Sequence, residues 1–370
     1  MQRILYGIIV WCSVFMYATA SFAARIYGTP PLLRYYDGSS WNSIDVSTEF
    51  YSAIDKANIE LAKYHDQSQL AKGFANANLY STNAATQQGY PNYGLFAITT
   101  GVMGGVQLPS FNPSYYDDID KKIKDKGDIY AGVAASVALM NIGINAGFIV
   151  PGLYLNAKFG KFNSQWVYDS DDFDFNTMII GGGVTYSLIG ESGTSLFRWR
   201  GVTVGSGLLY QSTNVAYKVD LDKKTESFSK SVVSGVIIVD PSFKATLKMY
   251  TVSVPFEINT AIQVLWLLNF NLGAGFDLCK GNSDLVLKAA ATATVDYLSS
   301  GGMLIPKSNY IVVPGMLYID GSTLGEKPAL TRFRIMTGIG FNLGPVKIDI
   351  PVIYYLKTGG AVGLTVGFIW

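Results

Sequence analysis

Leu268-Asn269-Phe270-Asn271-Leu272-Gly273-Ala274-Gly275-Phe276-Asp277-Leu278 is the stretch that decides the fold. Every even position is apolar and every odd one is Asn, Gly or Asp. Successive side chains of a strand point to opposite faces, so this is a strand with one greasy and one small, polar face. Its length matches the roughly 9–11 residues with which a tilted strand crosses a bilayer. The same period of two recurs at Leu285–Tyr297, Phe333–Leu343, Val346–Leu356 and Val362–Trp370. Strands of a soluble sandwich also alternate, but they average about 5–6 residues and carry charge on the wet face. Here the runs are twice as long and the second face is in many places Gly, Asn, Thr and Ser, with a few charges. Such strands satisfy their backbone groups in lipid only when the sheet closes on itself.

Composition agrees with that reading. Of 370 residues, 15% are charged against about 25% in an ordinary soluble domain, while 49% are hydrophobic. The formal net charge of +1 gives no electrostatic case for nucleic-acid binding. Disorder is excluded by the same numbers. Two Cys and one His exclude a disulfide or zinc scaffold. The best candidate for a membrane helix, Ile129–Ala157, carries no charge but is broken by Asn141, Asn145 and Pro151, and the residues at its end alternate as Leu153, Leu155, Ala157, Phe159. It therefore reads as two strands about a turn near Asn141-Ile142-Gly143.

Residues 1–23 read as a secretory signal: Arg3, an apolar run from Ile4 to Ala20, and Ser21-Phe22-Ala23 ahead of a cleavage point. Cys12 lies in that run, which leaves Cys279 alone in the mature chain. The fold class expected is all-β: a closed antiparallel transmembrane β-barrel of 12–14 strands over 93–370, preceded by a partly helical plug region over 24–92. Phe50, Ile54, Ala57, Leu61 and Tyr64 predict a helix over 47–64, and the stretch from Phe74 to Tyr93 shows little period. Loops 107–127, 160–172, 219–241, 279–284 and 319–329 are expected on the outer side, and Trp266, Tyr297 and Trp370 in a periplasmic aromatic girdle. The chain ends on alternating apolar residues closed by Phe368 and Trp370, which resembles the terminal strand read by the barrel-assembly machinery.

Catalytic chemistry finds no support. His65, the lone His, lies beside the predicted helix, and HExxH, Walker and GxSxG patterns are all missing. No enzyme, cofactor or metal is expected. Gly104-Gly105 and Gly181-Gly182-Gly183 fall within strands, and the Asp169–Asp174 acidic run lacks the spacing of a calcium loop.

A plug-like start, a barrel of this length and an aromatic end resemble the FadL-type outer-membrane long-chain fatty-acid transporters. That family has an Asn-Pro-Ala plug motif; here Asn83-Ala84-Ala85 stands nearest, without the Pro. The resemblance implies outer-membrane transport of long-chain fatty acids or similar hydrophobic small molecules, with outer-membrane lipid as a further partner. It also implies a kinked third strand with a side exit, a role that falls to Pro151-Gly152, since Pro and Gly disrupt a central strand. Lumen-facing Lys288, Arg332, Arg334 and Lys347 are the cations that would meet a carboxylate, unless they pair with Asp296 and Asp349. Two other functions fit the residues: a surface interaction protein working through its outer loops, and a nonspecific polar porin.

Overall fold

In the computed structural model, residues 25–370 are described apart from 37, 46, 49, 52–53, 56–67, 88–92, 113–129, 169–170, 195, 221–223, 231–232 and 301. The signal segment 1–23 and His65 lie outside the described residues, as does the 56–64 part of the predicted helix, whose residues 47, 48, 50, 51, 54 and 55 are helical. The chain is predominantly β, with one large antiparallel sheet.

Three short strands open it: β1 (Arg25–Thr29), β2 (Leu32–Tyr36) and β3 (Trp41–Ile44). Helix Ser68–Tyr80, here the inner helix, follows. Then come β4 (Phe96–Gln107), β5 (Gly132–Asn145), β6 (Leu153–Tyr168), β7 (Asp171–Ile189), β8 (Ser192–Gly193) and β9 (Phe197–Asp220). The longest strands are β11 (Val233–Val264) and β12 (Leu268–Ser300), introduced by β10 (Lys224–Lys230). The chain closes with β13 (Met303–Ile305), β14 (Tyr310–Val313), β15 (Gly315–Glu326), β16 (Thr331–Leu343), β17 (Val346–Tyr355) and β18 (Gly359–Ile369).

The hydrogen-bonded neighbours run in a circuit. From β12 the order is β16, β17, β18, β4, β5, β6, β7, β9 and β11, and β11 pairs with β12 again. That makes ten strands among the described residues, not 12–14. Two errors account for the difference. Residues 264–278 and 285–298, read as separate strands around a loop at 279–284, form one strand, β12. The segment read at 304–318 is replaced by β15, which continues the line of β16 along the same edge of β12: Glu326 faces Ser283 and Thr331 faces Leu278.

The wall is very uneven. β17 has 10 residues and β18 has 11, whereas β11 has 32 and β12 has 33. At about 3.3 Å per residue this is roughly 33 Å against 110 Å along the strand. On the tall side β10 joins β11 and β1 joins β15, while β2, β3 and β14 form a separate small sheet packed through Leu33 onto Leu298. Residues 25–44, expected in the plug, therefore build onto this tall extension. Tyr297 pairs with Val236 there and not at the short-turn end, where Trp266 and Trp370 do sit exposed.

Facing reverses partway up. Within β12, Asn269, Asn271 and Asp277 are buried while Phe270, Leu272 and Leu278 are exposed. Above Leu278 the parity continues but the chemistry swaps: Leu285 and Leu287 are buried, and Lys280 and Lys288 are exposed. β11 does the same, with Ser253 and Thr251 inside and Phe256 and Tyr250 outside, then Met249 and Leu247 inside and Lys248 and Lys244 outside.

The inner helix lies within the ring. Ala71, Ala75, Asn76, Ala77, Asn78, Leu79 and Tyr80 are wholly buried. Its first turns pack Leu70 and Ala71 on Leu247, Leu285 and Leu287, the apolar interior of the tall wall. Two glycines permit the fit. A Cβ at Gly105 would strike the Ala77 carbonyl oxygen, and one at Gly132 would strike the Gly73 backbone.

Candidate functional site

At the level of the greasy outer belt the interior is polar and tied to the inner helix. Tyr80 stacks on Tyr355 with centroids 3.9 Å apart, and its hydroxyl donates to Gln107 Oε1 at 2.8 Å. Asn78 bridges to β11 and β9, donating to Thr251 Oγ1 at 2.9 Å and accepting from Thr213 Oγ1 at 2.7 Å and Gln211 Nε2 at 3.0 Å. Ser136 donates to the Ser81 carbonyl oxygen. The plug segment Asn83-Ala84-Ala85 is buried at the helix end, and the Ala85 carbonyl accepts from Asn141 Nδ2 at 2.8 Å and Thr99 Oγ1 at 3.0 Å. Among the described residues of the expected 24–92 plug, the helix and the stretch 81–87 lie against the inner face of the wall.

Beside this contact lies a charge cluster. Arg334, 1% exposed, reaches Glu257 Oε2 at 3.0 Å and Asp277 Oδ1 at 3.3 Å, and Tyr355 donates to Asp277 Oδ2 at 3.1 Å. A buried cation with two carboxylates is held by geometry, and losing one partner strands a charge. Lys158, 7% exposed, donates to the Thr82 carbonyl at 3.4 Å. Below the helix end opens a cavity of about 90 Å³. Asn83, Tyr93, Asn141, Tyr154, Lys158 and Glu257 are among its lining residues. Above the belt, the inner face of the β6–β7 hairpin is aromatic: Trp166 stacks on Phe173 at 5.3 Å and Phe162 meets Phe175 at 6.3 Å. Trp166 is 52% exposed there.

The expected site residues scatter. Pro151 and Gly152 do not kink a strand. They close the turn between β5 and β6, where Leu153 N donates to the Val150 carbonyl at 3.0 Å and Gly152 has φ +84°. The turn expected at Asn141–Ile142 is uninterrupted β5. The kink expected within a strand is instead this turn, with β5 paired to β6 from Asn145↔Tyr154 to Met140↔Phe159 and β6 paired to β7. Lys288 faces outward, opposite to expectation. Lys347 sits at the short-turn end, its Nζ donating to the Gly344 carbonyl at 2.8 Å. Arg332 and Arg334 do face inward; Arg332 donates to the Tyr130 hydroxyl at 2.6 Å. Their expected acids differ as well. Asp296 is exposed on the tall side, and Asp349 is buried near Asn271 at 3.4 Å, whereas Glu257 and Asp277 hold Arg334. Phe368 and Trp370 stack outward at 6.4 Å, and Trp370 N donates to the Phe96 carbonyl at 2.9 Å.

Sequence reasoning missed Glu257, Tyr80 and Gln211. Glu257 could have been found, because it is a lone acid on the small face of a run otherwise free of charge from Met249 to Val264.

No curated relative matches the sequence. Among solved structures, the translocator domain of the autotransporter NalP from Neisseria meningitidis is 8% identical, with a TM-score of 0.28, covering 75% of this chain and 90% of that one. The Ralstonia pickettii toluene transporter TbuX is 8% identical, with a TM-score of 0.25, covering 81% and 95%. A Pseudomonas aeruginosa FadL homologue is 10% identical, with a TM-score of 0.22, covering 80% and 95%. Likeness at this level carries no residue correspondence, and the expected FadL-type membership is not shown. The family match lies elsewhere and spans residues 37–370: the chain belongs to the Lsa36-like family.

Proposed function

We propose that the chain is an exported outer-membrane β-barrel that transfers small molecules, with the inner helix as its gate. The ten-strand ring spans lipid through the belt typified by Leu268–Leu278, and the barrel-assembly machinery reads Phe368 and Trp370. The observation that carries the reading is the seat of the helix between an aromatic mouth above and a polar cavity below. Phe162, Trp166, Phe173 and Phe175 suit an apolar cargo, and Arg332, near the loop end of the wall, suits its polar head. Long-chain fatty acids and similar hydrophobic molecules have this chemistry. The protein is not an enzyme on this reading, and it needs no cofactor.

The test is uptake of a fluorescent long-chain fatty acid by vesicles holding the refolded protein. Uptake should exceed that of empty vesicles and fall about tenfold per aromatic removed in Trp166→Ser and Phe173→Ser. Deleting residues 68–87 should turn a silent protein into one that conducts small ions. Uptake no better than empty vesicles, with conductance unchanged by the deletion, would sink the gate. A surface-interaction role is favoured by one feature, the exposed apolar face of the small sheet at Leu32, Tyr36, Trp41, Ile311 and Val313. Removing residues 25–44 then abolishes partner binding and leaves uptake unchanged.

A further inference from the structure

The outward face of the tall wall carries two tiers of lysine. The first tier stands directly above the greasy belt. Lys161 follows Phe159 two residues up β6, Lys248 follows Tyr250 on β11, and Lys280 follows Leu278 on β12, all exposed. The second tier is a row across three adjacent strands. Lys244 of β11 is directly opposite Lys288 of β12 on one side and Lys218 of β9 on the other. Asp172 of β7 faces Lys218, and Asp320 of β15 faces Lys288, so acids stand at the two ends of the row. Among the described residues neither Lys244 nor Lys288 forms an ion pair.

Like charges directly opposite in an antiparallel pair are destabilising. Two such pairings in succession, both exposed, fit a surface that meets an anion. The spacing of the tiers says which. From Lys280 to Lys288 is eight residues, about 26 Å along the strand and roughly 20 Å of height at the usual barrel tilt. A phospholipid headgroup layer is only about 5–8 Å deep and reaches the lower tier alone. An anion carried on a standing saccharide head reaches both.

We propose that the two lysine tiers bind the phosphates of a phosphorylated glycolipid in the outer leaflet, with the Lys218-Lys244-Lys288 row holding its saccharide-borne phosphates. The inference rests on the membrane placement proposed above. Flotation of the refolded chain with vesicles tests that placement separately.

Binding is then read by titrating the full-length refolded protein in detergent with rough lipopolysaccharide, the same lipopolysaccharide stripped of phosphate, and phosphatidylglycerol. Lys244→Gln/Lys288→Gln should weaken lipopolysaccharide binding about tenfold, since each surface lysine adds on the order of a severalfold gain. The same variant should bind phosphatidylglycerol as the parent does, and Lys244→Arg/Lys288→Arg should restore lipopolysaccharide binding. Phosphate removal should erase the difference between parent and Gln variant. Lys161→Gln/Lys248→Gln/Lys280→Gln should weaken both lipids. Equal lipopolysaccharide binding by parent and upper-tier Gln variant overturns the proposal even where flotation succeeds. Failure to float overturns the placement itself.

Discussion

The two halves of β12 are one strand whose apolar residues face opposite ways. From Leu268 to Leu278 the apolar residues point out and Asn269, Asn271 and Asp277 point in. From Cys279 upward Leu285 and Leu287 point in, and Lys280 and Lys288 point out. Backbone parity never slips between them, because β11 stays in register with β12 from Val264↔Leu268 to Val239↔Ala293. What changes is only which face is greasy. A strand in lipid hides its polar groups, and one in water hides its apolar groups. On the membrane placement proposed above, the reversal at 278–280 marks a change of medium, and the seat of the inner helix follows the same boundary. Leu70 and Ala71 sit in the apolar upper interior, and Asn76, Asn78 and Tyr80 in the polar lower one.

The comparison breaks most easily from the inside. Arg334→Met strands Asp277 and Glu257, a loss of about 3–5 kcal/mol for a buried pair broken on one side. Leu287→Ala in the upper interior should cost about 2–5 kcal/mol by leaving a cavity. Urea midpoints of the refolded barrel measure both. A tolerated Arg334→Met would mean that the lower interior is already open to water. On the outside the two halves should differ in size of effect. Leu272→Arg, in the belt, should lose about 2–4 kcal/mol in vesicles, as for a cation on a lipid face. Lys288→Leu should stay within about 0.5 kcal/mol, as for an ordinary surface site. Equal effects at both positions would place the two halves in the same medium.

This reversal also explains what the sequence disclosed. Alternation alone identifies two faces, and for Leu268–Leu278 the assignment of greasy to outside was right. Applied to Leu285 and Leu287 the same rule put Lys288 inside, because period two carries no label for the solvent. The inner helix was invisible for a different reason. Ala71, Ala75, Asn76, Ala77 and Asn78 are buried all round by the wall, so no apolar stripe at helical spacing exists to be read. Pro151-Gly152 followed from misplacing one turn by several residues. The charge cluster needed distant partners, Glu257, Asp277 and Arg334, that only the circuit of strands brings together.

The wall glycines against the inner helix have a consequence for the order of assembly. The junction between β4 and β18 joins residues 97–107 to 359–369, the most sequence-distant ladder of the circuit. Long-range pairings of this kind form late. The helix precedes β4 and rests on it through Gly105, with its side chains included about 10–12 Å across. A body of that width cannot thread a zipped ring whose interior it already fills. The expected sequence is therefore that the helix docks on β4 first and the last two edges zip around it. Timed crosslinking, with a short bifunctional maleimide, of cysteines placed at Tyr80 and Gln107, whose side chains meet, and at Thr100 and Val366, would reverse that order if the second pair locked first.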